Sequence, residues 1–384
     1  MKVYLDNSAT SFPKPLAVEK AVMNWFKDGN GNVNRSNGSG ARHLERIIYE
    51  TREALCELFN FENSDHIIFT KNVTEALNLV IFGLLKRKSH VIVTGVEHNG
   101  VIRPLEQLKE RGWLRYDCVP VSRTGNLDLD ALTSLITPDT KLIIATHASN
   151  VSGDVMPIEA IGEIAKNNQI PFMVDAAQSA GILPIDMEKQ NIDLLAFTGH
   201  KGLMGPQGIG GIAIRPYLAS QIQPLIYGGT GSYSEQLTQP DVMPDRFESG
   251  TQNTLGIVGL HAGLQTIKAI GLDRILEHEQ QLIKILQDAF EQDSRVRLIG
   301  NMDYTKRVGV LSMDFVTIDN AVAAYELNKQ FAVTTRVGLQ CSPLAHRVYD
   351  TYPQGTVRFS TSFLNTVDEM HYVVDAVKQI LSQN

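Results

Sequence analysis

The chain has 384 residues, more than a single hydrophobic core usually serves, so two domains are expected. Hydrophobic residues at 43% and charged residues at 20% fit a packed globular fold, and a net charge of −7 offers no basic field for nucleic acid. No run nears the roughly 18 apolar residues of a membrane span. The three cysteines, Cys56, Cys118 and Cys341, give neither a disulfide framework nor a zinc-ligand spacing, which points to a reducing cytoplasm.

From Met1 to Asp6 there is no apolar signal core. Short apolar runs then alternate with helical patterns. The runs are His66 to Phe69, Val91 to Val93, Leu142 to Ala145, Phe172 to Val174, Leu194 to Phe197 and Gly211 to Ile214. They show little alternation, which suits strands buried on both faces. The helical stretches are Thr74 to Lys86, Leu105 to Glu110, Leu129 to Leu135 and Ile158 to Lys166. This order predicts a mainly parallel α/β sheet, with ligands beyond the carboxyl ends of its strands.

Gly228 to Tyr233 reads as a flexible polar stretch. A long helical pattern follows from about Leu255 to Phe290, broken at Gly271. Strands are predicted at Val296 to Ile299, Val308 to Phe315, Ala332 to Thr335 and Thr356 to Ser360, and a last helix from Val367 to Leu381. The expected division is a large domain over 15–255 and a smaller α+β domain from 1–14 and 256–384.

Four segments carry chemistry. Phe172-Met173-Val174-Asp175 ends an apolar strand in an acid; taken alone, Asp175 reads equally as a helix cap. Leu194 to Phe197 leads into Thr198-Gly199-His200-Lys201; a lone lysine there is ordinarily a solvated one. Together they fit pyridoxal 5'-phosphate (PLP), which needs a lysine for a Schiff base and an acid to keep its pyridine nitrogen protonated. The strand-to-helix turn at Asn72-Val73-Thr74 could hold a phosphate or be a plain N-cap. His98, just past another strand, could stack on a cofactor ring or be structural.

Six segments in this order resemble the class V aminotransferases, and within them the cysteine desulfurases. They are Asp6 to Thr10, Glu97-His98-Asn99, His147 to Asn150, Val174 to Ser179, Thr198 to Lys201 and Arg246 to Thr254. The resemblance spans essentially the whole chain. It implies the type I PLP fold and a homodimer with active sites shared at the subunit interface. It makes Lys201 the Schiff-base lysine, Asp175 the partner of the pyridine nitrogen and Gln178 that of the phenolic oxygen. His98 would stack on the ring and move protons. Thr74, Thr198 and His200 would hold the phosphate, and Thr251 would reach the phosphate of the other subunit. Asn150 would sit near the phenolic oxygen and substrate. Arg358 would bind the substrate carboxylate, with Arg336 also in the substrate site.

PLP alone permits several reactions, and the fold does not choose among them. The choice rests on Arg336-Val337-Gly338-Leu339-Gln340-Cys341. In the family this cysteine attacks the sulfur of bound L-cysteine, leaving a persulfide on the enzyme and releasing L-alanine. Cys56 and Cys118 read as inert packing residues. The short loop resembles the SUF-type and selenocysteine lyase-like group, and implies a sulfur-acceptor protein that comes to the site. Alternatives are another class V PLP enzyme with Cys341 incidental (a selenocysteine lyase, aminotransferase or β-lyase), or a non-catalytic protein that kept the fold. Gln340 and Ser342 depart from the group's His and Ala, Thr198 stands where Ser is usual, and Gly29 to Ser36 differs from the usual form.

Overall fold

The computed structural model of the protein describes residues 1–28 and 39–383. The unusual segment Gly29 to Ser36 lies outside the described residues. The first half of the chain holds β1 (Val3–Tyr4), α1 (Leu16–Asp28), α2 (Ser39–Phe59), β2 (Ile67–Thr70), α3 (Val73–Leu84), β3 (Ser89–Thr94) and α4 (Asn99–Glu110). Then come β4 (Leu114–Val119), α5 (Leu129–Ser134), β5 (Thr140–Thr146), α6 (Ile158–Asn167), β6 (Phe172–Asp175), β7 (Leu194–Thr198), β8 (Gly210–Ile214) and α7 (Pro216–Ala219).

Seven of these strands form one sheet in the order β2-β8-β7-β6-β5-β3-β4. The pairs from β7 through to β4 are parallel; only β8, flanked by β7 and β2, runs antiparallel to its neighbours. Successive side chains of a strand point to opposite faces. Phe172, Val174, Leu195 and Phe197 accordingly enter one core, with Leu44, Leu55 and Phe59 of α2. Met173, Leu194 and Ala196 enter the other, with Leu77 and Val80 of α3 and Leu105 of α4. Each fully buried Leu, Val, Met or Phe among them contributes about 1.5–3 kcal/mol relative to exposure. Gly211 is required where β8 crosses Phe197, since a Cβ there would stand 2.5 Å from the ring.

The rest of the chain holds α8 (Thr254–Ile270), α9 (Leu272–Phe290), β9 (Val296–Ile299), β10 (Val310–Phe315), α10 (Asn320–Phe331), β11 (Val333–Thr334), β12 (Arg336–Gly338), α11 (Pro343–Val348), β13 (Thr356–Ser360) and α12 (Val367–Gln383). An antiparallel sheet runs β12-β13-β10-β9, and β1 pairs in parallel with β11. Its core collects Leu282 and Leu286 of α9, Leu327 of α10 and Val373 and Val377 of α12.

Several expectations shift. The strand expected over Ala332 to Thr335 divides. Ala332 closes α10 in the left-handed conformation, β11 joins β1, and β12 enters the other sheet. Helix α4 starts six residues before the expected Leu105, because Pro104 interrupts its pattern. The long helix breaks at Gly271 (φ +92) as expected, but α8 buries Ile257, Leu260 and Leu264 in the core of the large sheet. By packing, α8 therefore goes with the large unit and not with the small one. Among the described residues no single helix is long and apolar enough to cross a membrane; α8 and α9 bend by 84° at their break.

Candidate active site

The neighbouring strands β6 and β7 end side by side, with Asp175 in register with Ala196. Asp175 is 3% exposed, and its Oδ1 accepts the Ala177 N–H at 2.9 Å. Lys201 follows β7 by three residues. Burial pulls its amine down to about 8; Asp175 acts against this, while Arg358 and Arg336 add to it. Burial raises the Asp175 carboxyl, against the Ala177 N–H and the Lys201 charge. The two groups thus act on each other's charge at the carboxyl edge of the sheet, where ligands bind in such folds.

Gln178 and Lys201 line one cleft with Ser8, Ser11 and Glu279. The Gln178 amide donates to Ser8 O at 3.2 Å. His98 caps α4, where its Nδ1 accepts the Gly100 N–H at 2.9 Å. Burial, then the charges of Lys201 and Arg336, hold its ring down at about 4, so it is neutral at physiological pH. With Nδ1 accepting, its proton sits on Nε2. Thr74, in the first turn of α3, has its hydroxyl near the same Gly100. Asn72 is the N-cap of that helix and accepts the Glu75 N–H at 3.0 Å.

Thr198 Oγ1 and His200 Nδ1 are buried without a hydrogen-bond partner. Burial also holds His200 at about 4, followed by Lys201 and Lys14. Buried polar groups normally find partners. Two orphaned polar atoms on the segment that leads to Lys201, whose amine and the Asp175 carboxyl act on each other's charge, fit a phosphorylated pyridine.

The small sheet closes the other side. Arg336 and Arg358 are directly opposite on β12 and β13. Arg358 is 1% exposed; its Nη2 donates to Asp6 Oδ1 at 2.6 Å and its Nη1 to Asn150 O at 3.0 Å, while Nε has no partner. Arg336 Nη2 donates to Cys341 Sγ at 3.4 Å. Cys341 is exposed, and its carbonyl accepts the Asn99 N–H at 2.8 Å, next to His98. Asn150 donates to Gln340 O at 2.7 Å and accepts from Ser342 Oγ at 2.6 Å. Two contributions escaped sequence reasoning: Asp6 as the ion partner of Arg358, and Asn150 as anchor of the cysteine loop. Asp6 lies in a quoted motif, but nothing in the sequence signals a contact 352 positions away.

Thr251 is not brought to the Lys201 cleft. It is exposed in the segment between α7 and α8 and lines another cleft with Lys71, Gly208 and Phe247. Cys56 is buried and its thiol is pushed up to about 12 by burial, as a packing residue would be. Cys118 is a correction: it is exposed on β4, the edge strand of the large sheet, and not packed in a core.

Residues 3–373 match the family model for class V aminotransferases. A probable cysteine desulfurase of Pyrococcus abyssi is 33% identical over 99% of this chain and 94% of its own length. One of Methanothermobacter thermautotrophicus is 32% identical over 98% and 94%. The solved apo structure of the cysteine desulfurase from Thermococcus onnurineus NA1 superposes with a TM-score of 0.93, at 30% identity, over 100% of this chain and 95% of that one. The chain therefore belongs to the class V aminotransferases, among their PLP-dependent cysteine desulfurases.

Proposed function

We propose that this enzyme converts L-cysteine to L-alanine, leaves a persulfide on Cys341 and passes the sulfur to an acceptor protein. The observation that carries this reading is the contact of Arg336 with Cys341 Sγ at 3.4 Å. It sets a thiol against a cation whose charge also acts on Lys201 and His98. A nucleophilic cysteine needs such an electropositive, accessible setting.

Lys201 would hold PLP covalently and Asp175 its pyridine nitrogen. Thr74, Thr198 and His200 would hold its phosphate, Gln178 its phenolic oxygen and His98 one ring face. When bound, PLP withdraws electrons from the substrate Cα. Arg358 grips the substrate carboxylate, because a guanidinium pairs with it through two parallel hydrogen bonds. Asn150, whose carbonyl orients Arg358, stands beside the substrate. His98 supplies or takes a proton at Nε2. The Cys341 thiolate attacks the substrate sulfur: the S–S bond forms, the Cβ–S bond breaks, and its electron pair stays on carbon, which takes a proton.

The loop carrying Cys341 is short and pinned on both sides, so the acceptor must approach the site. This favours the SUF-type, selenocysteine lyase-like group. A homodimer with shared sites is supported by the 220–253 segment, which has no helix or strand. It exposes Ile226, Tyr227 and Leu237 and carries Thr251 away from its own cleft. Three unpaired cysteines favour a reducing cytoplasm.

The test is mass spectrometry after incubation with L-cysteine. We expect one added sulfur on the peptide containing Cys341, and no alanine formation by Cys341→Ser. Alanine release by that variant at the parent rate would sink the proposal.

A further inference from the structure

Gln340 and Cys341 both adopt the left-handed conformation, at φ +42 and +59, although neither is glycine. Such residues persist only where the surroundings over-determine them. Here the surroundings do so residue by residue. The Gln340 side chain is 2% exposed, and its Nε2 donates to Thr356 O at 2.9 Å. A carbonyl can only accept, so the amide nitrogen must face Thr356 and Oε1 must face His346 Nε2, at 2.6 Å. His346 therefore carries its proton on Nε2, and its Nδ1 takes the Thr351 hydroxyl at 2.7 Å. Burial holds this histidine at about 4, so it stays neutral.

On the other side, Asn150 grips the Gln340 carbonyl and the Ser342 hydroxyl together, and the Asn99 N–H takes the Cys341 carbonyl. Gln340 and Ser342 are both buried, while Cys341 between them is exposed. Asn150 also accepts from Arg358, and Thr356 lies on the strand that carries Arg358. The thiol loop and the buried arginine thus share anchors.

The geometry points to Gln340 as a positioning residue: backed by His346 and Thr351 and flanked by Asn150 and Ser342, it clamps the loop so that Cys341 stays beside Arg336. The clamp rests on the reading of Cys341 as nucleophile. Gln340 does not touch the sulfur; it acts through the backbone of Cys341. The two departures from the group's His and Ala are both parts of this clamp, since Gln340 and Ser342 each supply a hydrogen bond.

The test uses the full-length, PLP-loaded enzyme and the variants Gln340→Leu, His346→Leu and their double. We expect alanine formation to fall in kcat by tenfold or more, with the KM for cysteine within twofold and the visible PLP absorbance retained. Iodoacetamide should alkylate the Cys341 peptide at least threefold faster, because a released loop is more accessible. The loss in the double variant should fall well short of the product of the two single losses, since both singles break the shared Gln340–His346 bond. A kcat within twofold of the parent, unchanged alkylation, or losses that multiply in the double variant would overturn the clamp. Should these variants fail to fold, Ser342→Ala removes a single hydroxyl; a threefold fall in kcat with faster alkylation supports the clamp, and no change in either refutes it. Cys341→Ser separates the two claims. If that variant makes no alanine while Gln340→Leu matches the parent, the nucleophile stands and the clamp falls. If Cys341→Ser makes alanine normally, the nucleophile reading falls, and faster alkylation of Gln340→Leu still reports the loop clamp.

Discussion

Arg336 and Arg358 occupy one register position of the antiparallel β12–β13 ladder, with two guanidinium side chains on the same face. Like charges directly opposite each other destabilise a sheet. The pair is relieved by Asp6 on Arg358 and by the Cys341 sulfur on Arg336. Two cations held together with so little compensation make a receptor for an anion, and the carboxylate of an amino acid has the matching shape.

From this we expect Arg358→Lys to keep the charge and lose the planar fork. The KM for L-cysteine should rise roughly 10-fold to 100-fold, worth about 1.4–2.8 kcal/mol. Steady-state kinetics of alanine release checks it. An unchanged KM would remove Arg358 from the substrate site.

Asp6→Asn should weaken the fold. Arg358 is 1% exposed, so removing its ionic partner leaves a cation buried and poorly compensated. Breaking a fully buried pair costs about 3–5 kcal/mol. Asp6 retains some access to solvent and asparagine keeps one acceptor, so roughly 1–3 kcal/mol is expected. Chemical denaturation of parent and variant measures it.

Lys201 gives a pH dependence with a definite sign. Its amine is lowered from 10.5 to about 8, first by burial. Only the neutral amine attacks a carbonyl, so uptake of PLP by the apoprotein should speed up as pH rises through about 8. Arg336 adds to the lowering, so Arg336→Ala should move the midpoint up. Asp175 opposes it, so Asp175→Asn should move the midpoint down. Visible absorbance against time at a series of pH values reads both shifts.

The sheet and the placement of Asp175 and Lys201 at strand ends were legible because each is local. Apolar runs such as Phe172 to Val174 announce a buried strand, and Asp175 and Lys201 stand directly at or after strand ends. The division at Ala332 was not legible, because it depends on β1 pairing with β11 across the length of the chain. Neither was Asp6 beside Arg358, a contact made only when β13 meets the N-terminal segment. The exposure of Cys118 was not legible, because a strand-like run does not say that its strand is an edge. Thr251 carries no local sign of which cleft it lines.

Glu97 offers a test of the core behind the cleft. Its Oε1 accepts from Thr94 Oγ1 at 2.5 Å and from Thr146 N at 2.7 Å, while Oε2 has no partner. Burial first, against these hydrogen bonds and helped by Asp175, pushes its carboxyl up to about 8 from 4.5. An acid raised on folding binds its proton more tightly in the folded state. That contribution to stability is complete below about 4.5 and is lost as pH rises through about 8. Glu97→Gln mimics the protonated form and cannot ionise. Variant and parent should therefore be about equally stable near pH 4.5, and the variant should lead by roughly 2–4 kcal/mol at pH 8. Taking the difference between the two proteins cancels the titration of His98, His147 and His200, which is common to both. Denaturant unfolding at several pH values follows that difference, and a gap that stays flat from pH 5 to pH 8 would mean that Glu97 is ionised in the folded enzyme.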